Sequence, residues 1–174
     1  MNLRETLMRF APAGAALSLA LALTASAGYS AAPQVLDPRA AALAGEGRAA
    51  LSAGDINGAI DAFEAALAVQ PGATQITLSL AEATRRQGLQ GKALHYYREA
   101  IERDPRNFAA ISGEGLTLVE KGAVEKAKRN LARLQTTCGQ GCPETQELAA
   151  AIARGPVERV VSAEAVKPAP VVSN

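Results

Sequence analysis

Between Asp37 and Arg154 apolar side chains recur at helical spacing, every third or fourth position, with charged and amide residues between them. Asp37-Pro38 opens the pattern: Asp is a good N-cap, and Pro at the first helical position gives up a donor that the helix would not use. This first helix is predicted to run to about Ser52, where Gly54 supplies a C-terminal cap. Asp55 then caps a second helix to about Val69. Its stripe is Ala59, Phe63, Ala66 and Leu67, and Pro71 closes it. The same plan predicts helices at about 74–87 and 90–103, the latter carrying Ala93, Tyr97, Ala100 and Ile101. A third pair follows at about 108–121 and 124–136, carrying Ala127, Leu131 and Leu134.

The three pairs share one period. Gly54, Gly88 and Gly122 are spaced by 34 residues, and so are Ala59, Ala93 and Ala127. Pro71 and Pro105, Phe63 and Tyr97, and Ala66 and Ala100 keep the same offset, with Gly47, Ala81 and Gly115 as a further small-residue series. A bundle of unrelated helices has no reason to place the same residues at one period. A stack of helix pairs does, because one pair cannot bury its stripe alone. The small positions let backbones approach, and Phe63 and Tyr97 fill the space between pairs.

These residues resemble the tetratricopeptide repeat (TPR). The family pattern appears as Gly47…Ala59-x3-Phe63…Pro71 and recurs as Leu80-Ala81…Ala93-x3-Tyr97…Pro105. A degenerate copy, Gly115…Ala127-x3-Leu131, ends on Gly139 where a proline would fall. The resemblance spans about 40–141. It implies an all-α fold: an α-solenoid of about three TPR helix pairs, with repeats at about 40–73, 74–107 and 108–141.

A solenoid needs a terminal element with a polar outer face. Cys142-Pro143-Glu144 reads as a helix start, and the run to Arg154 puts Leu148, Ala151 and Ile152 on one side and Gln146 and Glu147 elsewhere. The expectation is a capping helix over 143–154, closing a TPR domain of 37–154. Gly155-Pro156 ends it, and 155–174 reads as a disordered tail.

The N-terminus reads as targeting. Arg4 and Arg9 precede an uncharged apolar stretch, Ala13 to Leu23, and Ala25-Ser26-Ala27 offers the small-x-small pattern of a signal peptidase site. Residues 1–27 are therefore expected to be a signal peptide, cut between Ala27 and Gly28, with 28–36 a flexible lead-in. An apolar stretch of 11 residues is well short of the ~20 that cross a bilayer, so no stable membrane insertion is expected after signal removal. The expected location is periplasmic or secreted. Export also bears on Cys138 and Cys142, the only cysteines, because an oxidising compartment favours their pairing. A structural disulfide stapling the cap to the last repeat is the leading reading. Free buried thiols, a redox-active pair and metal binding are the alternatives.

Composition and charge narrow the function classes. The chain is 48% hydrophobic but only 3% aromatic, and its 39 alanines suit closely packed helices. Net charge is +1 overall and zero for 28–174, so nothing attracts nucleic acid in general. The single histidine, His95, has no placed nucleophile or carboxylate beside it in the sequence, and there is no phosphate loop. No catalytic, cofactor-binding or metal-ligating set is predicted, and the expected protein is not an enzyme. Lys126, Arg129 and Arg133 form a basic stripe on the last repeat helix, either a solvated face or a docking patch for an acidic partner.

By the resemblance, the first helix of each pair lines a concave groove that binds peptides or helices. Its residues here would be Ala41, Ala44 and Arg48; Gln75, Leu78, Ser79, Glu82, Arg85 and Arg86; and Ala109, Ser112 and Leu116. The Lys/Asn clamp that some members use for a peptide carboxylate is missing: Ala44, Leu78 and Ser112 stand in its place. The resemblance implies a protein-binding scaffold or adaptor with a protein or peptide partner, similar to envelope proteins of pilus assembly and secretion. Self-association into homo-oligomers is the first alternative, and a thiol-redox accessory role the second.

Overall fold

The computed structural model describes residues 35–156. The predicted signal peptide and its Ala27/Gly28 cleavage site, most of the lead-in and most of the tail lie outside the described residues. Within them the chain forms seven helices and no strand. They are α1 (Pro38–Ser52), α2 (Ile56–Val69), α3 (Thr74–Arg86), α4 (Gln90–Arg103), α5 (Phe108–Glu120), α6 (Val124–Thr137) and α7 (Pro143–Arg154). The fold is an all-α helical repeat. Among the described residues no helix is long and apolar enough to cross a membrane.

Local chemistry sets the helix ends. The Asp37 carboxylate accepts the Arg39 N–H at 2.8 Å, Asp55 accepts that of Gly58 at 2.9 Å, and Asn107 accepts that of Ala110 at 3.0 Å, each satisfying a donor the helix leaves open. The turn inside each pair is the same object three times. Gly54, Gly88 and Gly122 have φ of 83°, 84° and 79°, the left-handed region that glycine enters without penalty. The N–H of the residue after each glycine reaches back five positions: Asp55 to Ala50, Leu89 to Thr84 and Ala123 to Leu118, at 2.8–2.9 Å. That is a Schellman closure, and its repetition makes the three pairs superimposable hairpins.

Each helix packs on its chain neighbours, and α1, α3, α5 and α7 also contact in sequence as an inner layer, with α2, α4 and α6 outside. Small residues set the spacing. Gly47 sits against the Phe63 ring, so that a Cβ there would lie 2.6 Å from it, and Gly115 meets Leu148 of α7 in the same way at 2.5 Å. Three apolar cores follow the stack. The first is built around Phe63, Ile76 and Leu80, the second around Tyr97 with Ala81, Ala93, Ala100 and Ala110, and the third around Ile111, Leu134 and Leu148. The third core joins α7 to the last pair, since Leu148 is fully buried. Ahead of α1, the Gln70 side chain accepts the Asp37 N–H at 2.7 Å and donates to the Val35 carbonyl at 3.3 Å. Leu36 packs on the first core.

Candidate interaction groove

The inner layer carries a groove of about 420 Å³ between α3, α5 and α7. Leu78, Glu82, Arg85 and Arg86 come from α3, Ala109, Ser112, Gly113 and Leu116 from α5, and Pro143, Glu144 and Glu147 from α7. Tyr97 of α4 reaches it from the outer layer. Helical spacing explains the first two walls: residues three and four apart share one face, so Leu78, Glu82 and Arg85–Arg86 follow each other along α3, and Ala109, Ser112–Gly113 and Leu116 along α5.

A charge network occupies one end. Both oxygens of Glu82 accept from Arg85, at 2.9 Å each, while Arg86 donates to one at 2.7 Å and the Tyr97 hydroxyl to the other at 3.0 Å. Arg85 also pairs with Glu120 of α5. Burial alone would push the Glu82 carboxyl up. The donors from Arg85, Arg86 and Tyr97 outweigh it and hold the group below its ordinary value. For Arg85, burial works against the charge, but bonds and charge from Glu82 and then Glu120 raise its pKa further. Tyr97 is raised by burial first and by the Glu82 charge second, so it stays a protonated donor. Glu82 and Arg85 therefore form a closed pair within α3, and the Arg85–Glu120 contact carries the network across the repeat boundary. Arg86, with half its side chain exposed, is the cation of this cluster that solvent reaches most.

Seven of the residues expected in the groove line it: Leu78, Glu82, Arg85, Arg86, Ala109, Ser112 and Leu116. Arg48, Gln75 and Ser79 do not. The Ser79 hydroxyl instead donates to the Gln75 carbonyl one turn back, at 3.0 Å, and Ala44 is fully buried in the first core. Ser112 is 2% exposed and donates to the Glu144 carbonyl at 3.3 Å, so it holds the cap in place. The sequence reading missed the third wall. Pro143, Glu144 and Glu147 stood in a predicted capping helix, and nothing in the repeat period shows that this helix stands where a fourth pair would begin. Tyr97 carried a signal: it occupies the Phe63 position, and its extra hydroxyl needs a partner when buried.

Outside the groove, Cys138 and Cys142 are joined by a disulfide, with Cα atoms 5.8 Å apart, across the turn from α6 to α7. The Glu144 carboxylate lies with the two sulfurs inside 4.8 Å. Sulfurs bonded to each other offer no thiolate charge to a metal. Of the basic stripe, Lys126 and Arg129 are exposed, whereas Arg133 donates to the Pro105 carbonyl of the preceding turn and so is partly spent on structure. His95 has 74% of its side chain exposed, 3.9 Å from Glu99.

This architecture, paired helices with identical glycine turns and a lined inner layer, defines a helical-repeat protein. Residues 45–108 match the tetratricopeptide repeat family, and the solved structures of like shape are TPR domains. The first TPR of Spaghetti (RPAP3), solved bound to the HSP90 peptide SRMEEVD, superposes with a TM-score of 0.61 at 21% identity, over 69% of this chain and 97% of that one. The TPR2B domain of yeast Sti1, solved in complex with pHsp70, gives 0.61 at 16% identity, over 68% and 98%. The Sgt2 TPR domain from Aspergillus fumigatus gives 0.62 at 23%, over 76% and 97%. The fold is thus the TPR solenoid. No curated protein matches the sequence.

Proposed function

We propose that this protein is a non-enzymatic interaction scaffold of the bacterial cell envelope that receives a peptide or helix of a partner in the groove between α3, α5 and α7. The groove carries the reading: an inner-layer cleft of about 420 Å³ with an apolar wall, a half-exposed Arg86 and an acidic far rim at Glu144 and Glu147. Clefts with a few convergent polar groups on a rigid frame are where partners bind. TPR structures of like shape solved with an HSP90 peptide and with pHsp70 support a protein or peptide partner. The export-type N-terminus, Arg4 to Ala27, supports the envelope location, and pilus assembly or secretion is the pathway it suggests.

The test is cross-linked recovery of partners from cell envelopes with the 174-residue chain, against a variant carrying Ala109→Tyr and Arg86→Glu. Both positions are exposed, so helicity by circular dichroism should be unchanged while the cleft is blocked. A partner recovered by the parent and lost from the folded variant supports the groove. A partner recovered equally by both removes it.

A further inference from the structure

The two ends of the stack are finished differently. A terminal unit of a solenoid needs a polar outer face, and α7 provides one, with Gln146, Glu147 and Arg154 exposed. The first pair does not. α1 buries Ala40, Ala44 and Gly47, so helical spacing puts Pro38, Ala42, Gly45 and Ala49 on its opposite side. Pro38, Ala42 and Ala49 are exposed. α2 turns Asn57 and Glu64 toward the second pair, where they meet Gln87 and Lys92. The side of α2 away from that pair carries Gly58, Ala62, Ala65 and Val69, and Val69 is 41% exposed. Comparison with the later repeats gives this face a meaning. Ala42 and Ala49 correspond, at the 34-residue period, to Ile76 and Ala83 and then to Ala110 and Thr117. All four of those are buried, at positions where a pair receives the one before it. On α2 the contrast is sharper. Ala65 and Val69 stand where the next repeats have Glu99 and Arg103, then Arg133 and Thr137, so the open end is less polar than the interior faces it resembles.

We infer that this face binds the same face of a second copy of the chain, forming a two-fold dimer in which α1 lies antiparallel on α1 and α2 on α2. Charge selects that occupant. Arg39 and Glu46 are two turns apart on one flank of α1, in a row with Leu43 and Ala50, which pack on the first core. Both are exposed. Glu64, Glu82 and Glu99 are engaged by Lys92, Arg86 and Arg103, whereas among the described residues Arg39 and Glu46 have no ion-pair partner. A two-fold axis beside Ala42 and Leu43 sets Arg39 of each copy against Glu46 of the other, twice over. A parallel arrangement would set like against like. The remaining charges at this end fit the antiparallel arrangement. The Asp37 and Asp55 carboxylates cap their own helices, Arg48 lies on the other flank of α1, and Asp61 is exposed on α2, away from this row. Asp55 is in the turn at the far end of α1 from Arg39, so the two-fold keeps it away from its own counterpart. Contact with α7 of another copy would instead bring Gln146 and Glu147 onto an apolar face, in a head-to-tail chain that does not close. α1 and α2 have 15 and 14 residues and are about 20 Å long. A patch of that size is at the low end for specific contacts, so association is weak, in the micromolar range. The inference does not depend on the groove, which lies at the other end of the stack.

The experiment is analytical ultracentrifugation of the full chain from a few micromolar upward, over about 100-fold in concentration. The parent should pass from monomer to dimer and no further. Arg39→Glu and Glu46→Arg should each weaken association at least five-fold, with helicity by circular dichroism unchanged. An equal mixture of these two variants should associate as tightly as the parent, and so should the chain carrying both. Lys126→Glu on α6 should leave association as it is. A monomer at every concentration, association that the single reversals leave unchanged, a mixture no tighter than its components, or growth beyond the dimer each overturns the inference.

Discussion

Gly113→Ala and Gly91→Ala make the same chemical change in helices of one solenoid and should move stability in opposite directions. A Cβ at Gly113 would lie 2.3–2.4 Å from two ring atoms of Tyr97 and 2.8 Å from its hydroxyl. The ring cannot swing aside: Tyr97 is 1% exposed and tied to Glu82. Overpacking of this kind costs up to about 3 kcal/mol, against about 1 kcal/mol returned by alanine's helix propensity, for a net loss of about 2. At Gly91 nothing lies within 4 Å of the added carbon, so only the propensity acts and the variant should gain about 0.5 kcal/mol. Urea denaturation followed by far-ultraviolet circular dichroism reads both. With a slope of about 2 kcal/mol per molar urea, the Gly113→Ala midpoint falls by about 1 M. Adding Tyr97→Leu, the residue type that Leu131 supplies at the equivalent place in the third repeat, should remove most of the penalty and appear as a favourable coupling energy. Gly113→Ala as stable as the parent, or a penalty untouched by Tyr97→Leu, would refute the account of close helix approach.

Acid should unfold the protein partly through Glu82. Its folded pKa is held below the ordinary 4.5, so its contribution is present above that pH and is lost as pH falls through the folded value. Melting temperatures between about pH 5 and pH 3 should therefore drop less steeply for Glu82→Gln than for the parent, and equal slopes would contradict the network. Replacing Cys138 and Cys142 by serine should cost about 2 kcal/mol in the chain-entropy account of so short a loop. In reductant, parent and variant should then unfold at the same denaturant concentration, and a persistent gap would point to another role for the thiols.

Much of the fold was legible because the repeat writes itself in residues with one physical use. Gly54, Gly88 and Gly122 mark a turn that needs positive φ, and Gly47, Ala81 and Gly115 mark places where a large side chain of a neighbouring helix packs close to the backbone. The groove was legible only where it follows helical spacing, as for Leu78, Glu82, Ser112 and Leu116. It was hidden where two elements distant in sequence converge. The pairing of Arg85 with Glu120 depends on how one hairpin is rotated on the next, and the hydroxyl contact of Tyr97 with Glu82 on how α4 lies against α3, neither of which periodicity encodes. Arg48, Gln75 and Ser79 stand on inner-layer helices but do not line this cleft, which lies at the end that α7 closes.

The Schellman-closed hairpins have a kinetic consequence. Each pair completes its turn, its caps and part of its core from residues within one 34-residue unit, and each unit then needs only the next. Such a chain has short sequence separation between touching residues, the condition under which folding runs in microseconds to milliseconds. It can begin from whichever hairpin forms first and spread to its neighbours. A chain that emerges N-terminus first would mature in the order in which its hairpins appear, and the groove, which waits on α7, would be the last part to take shape.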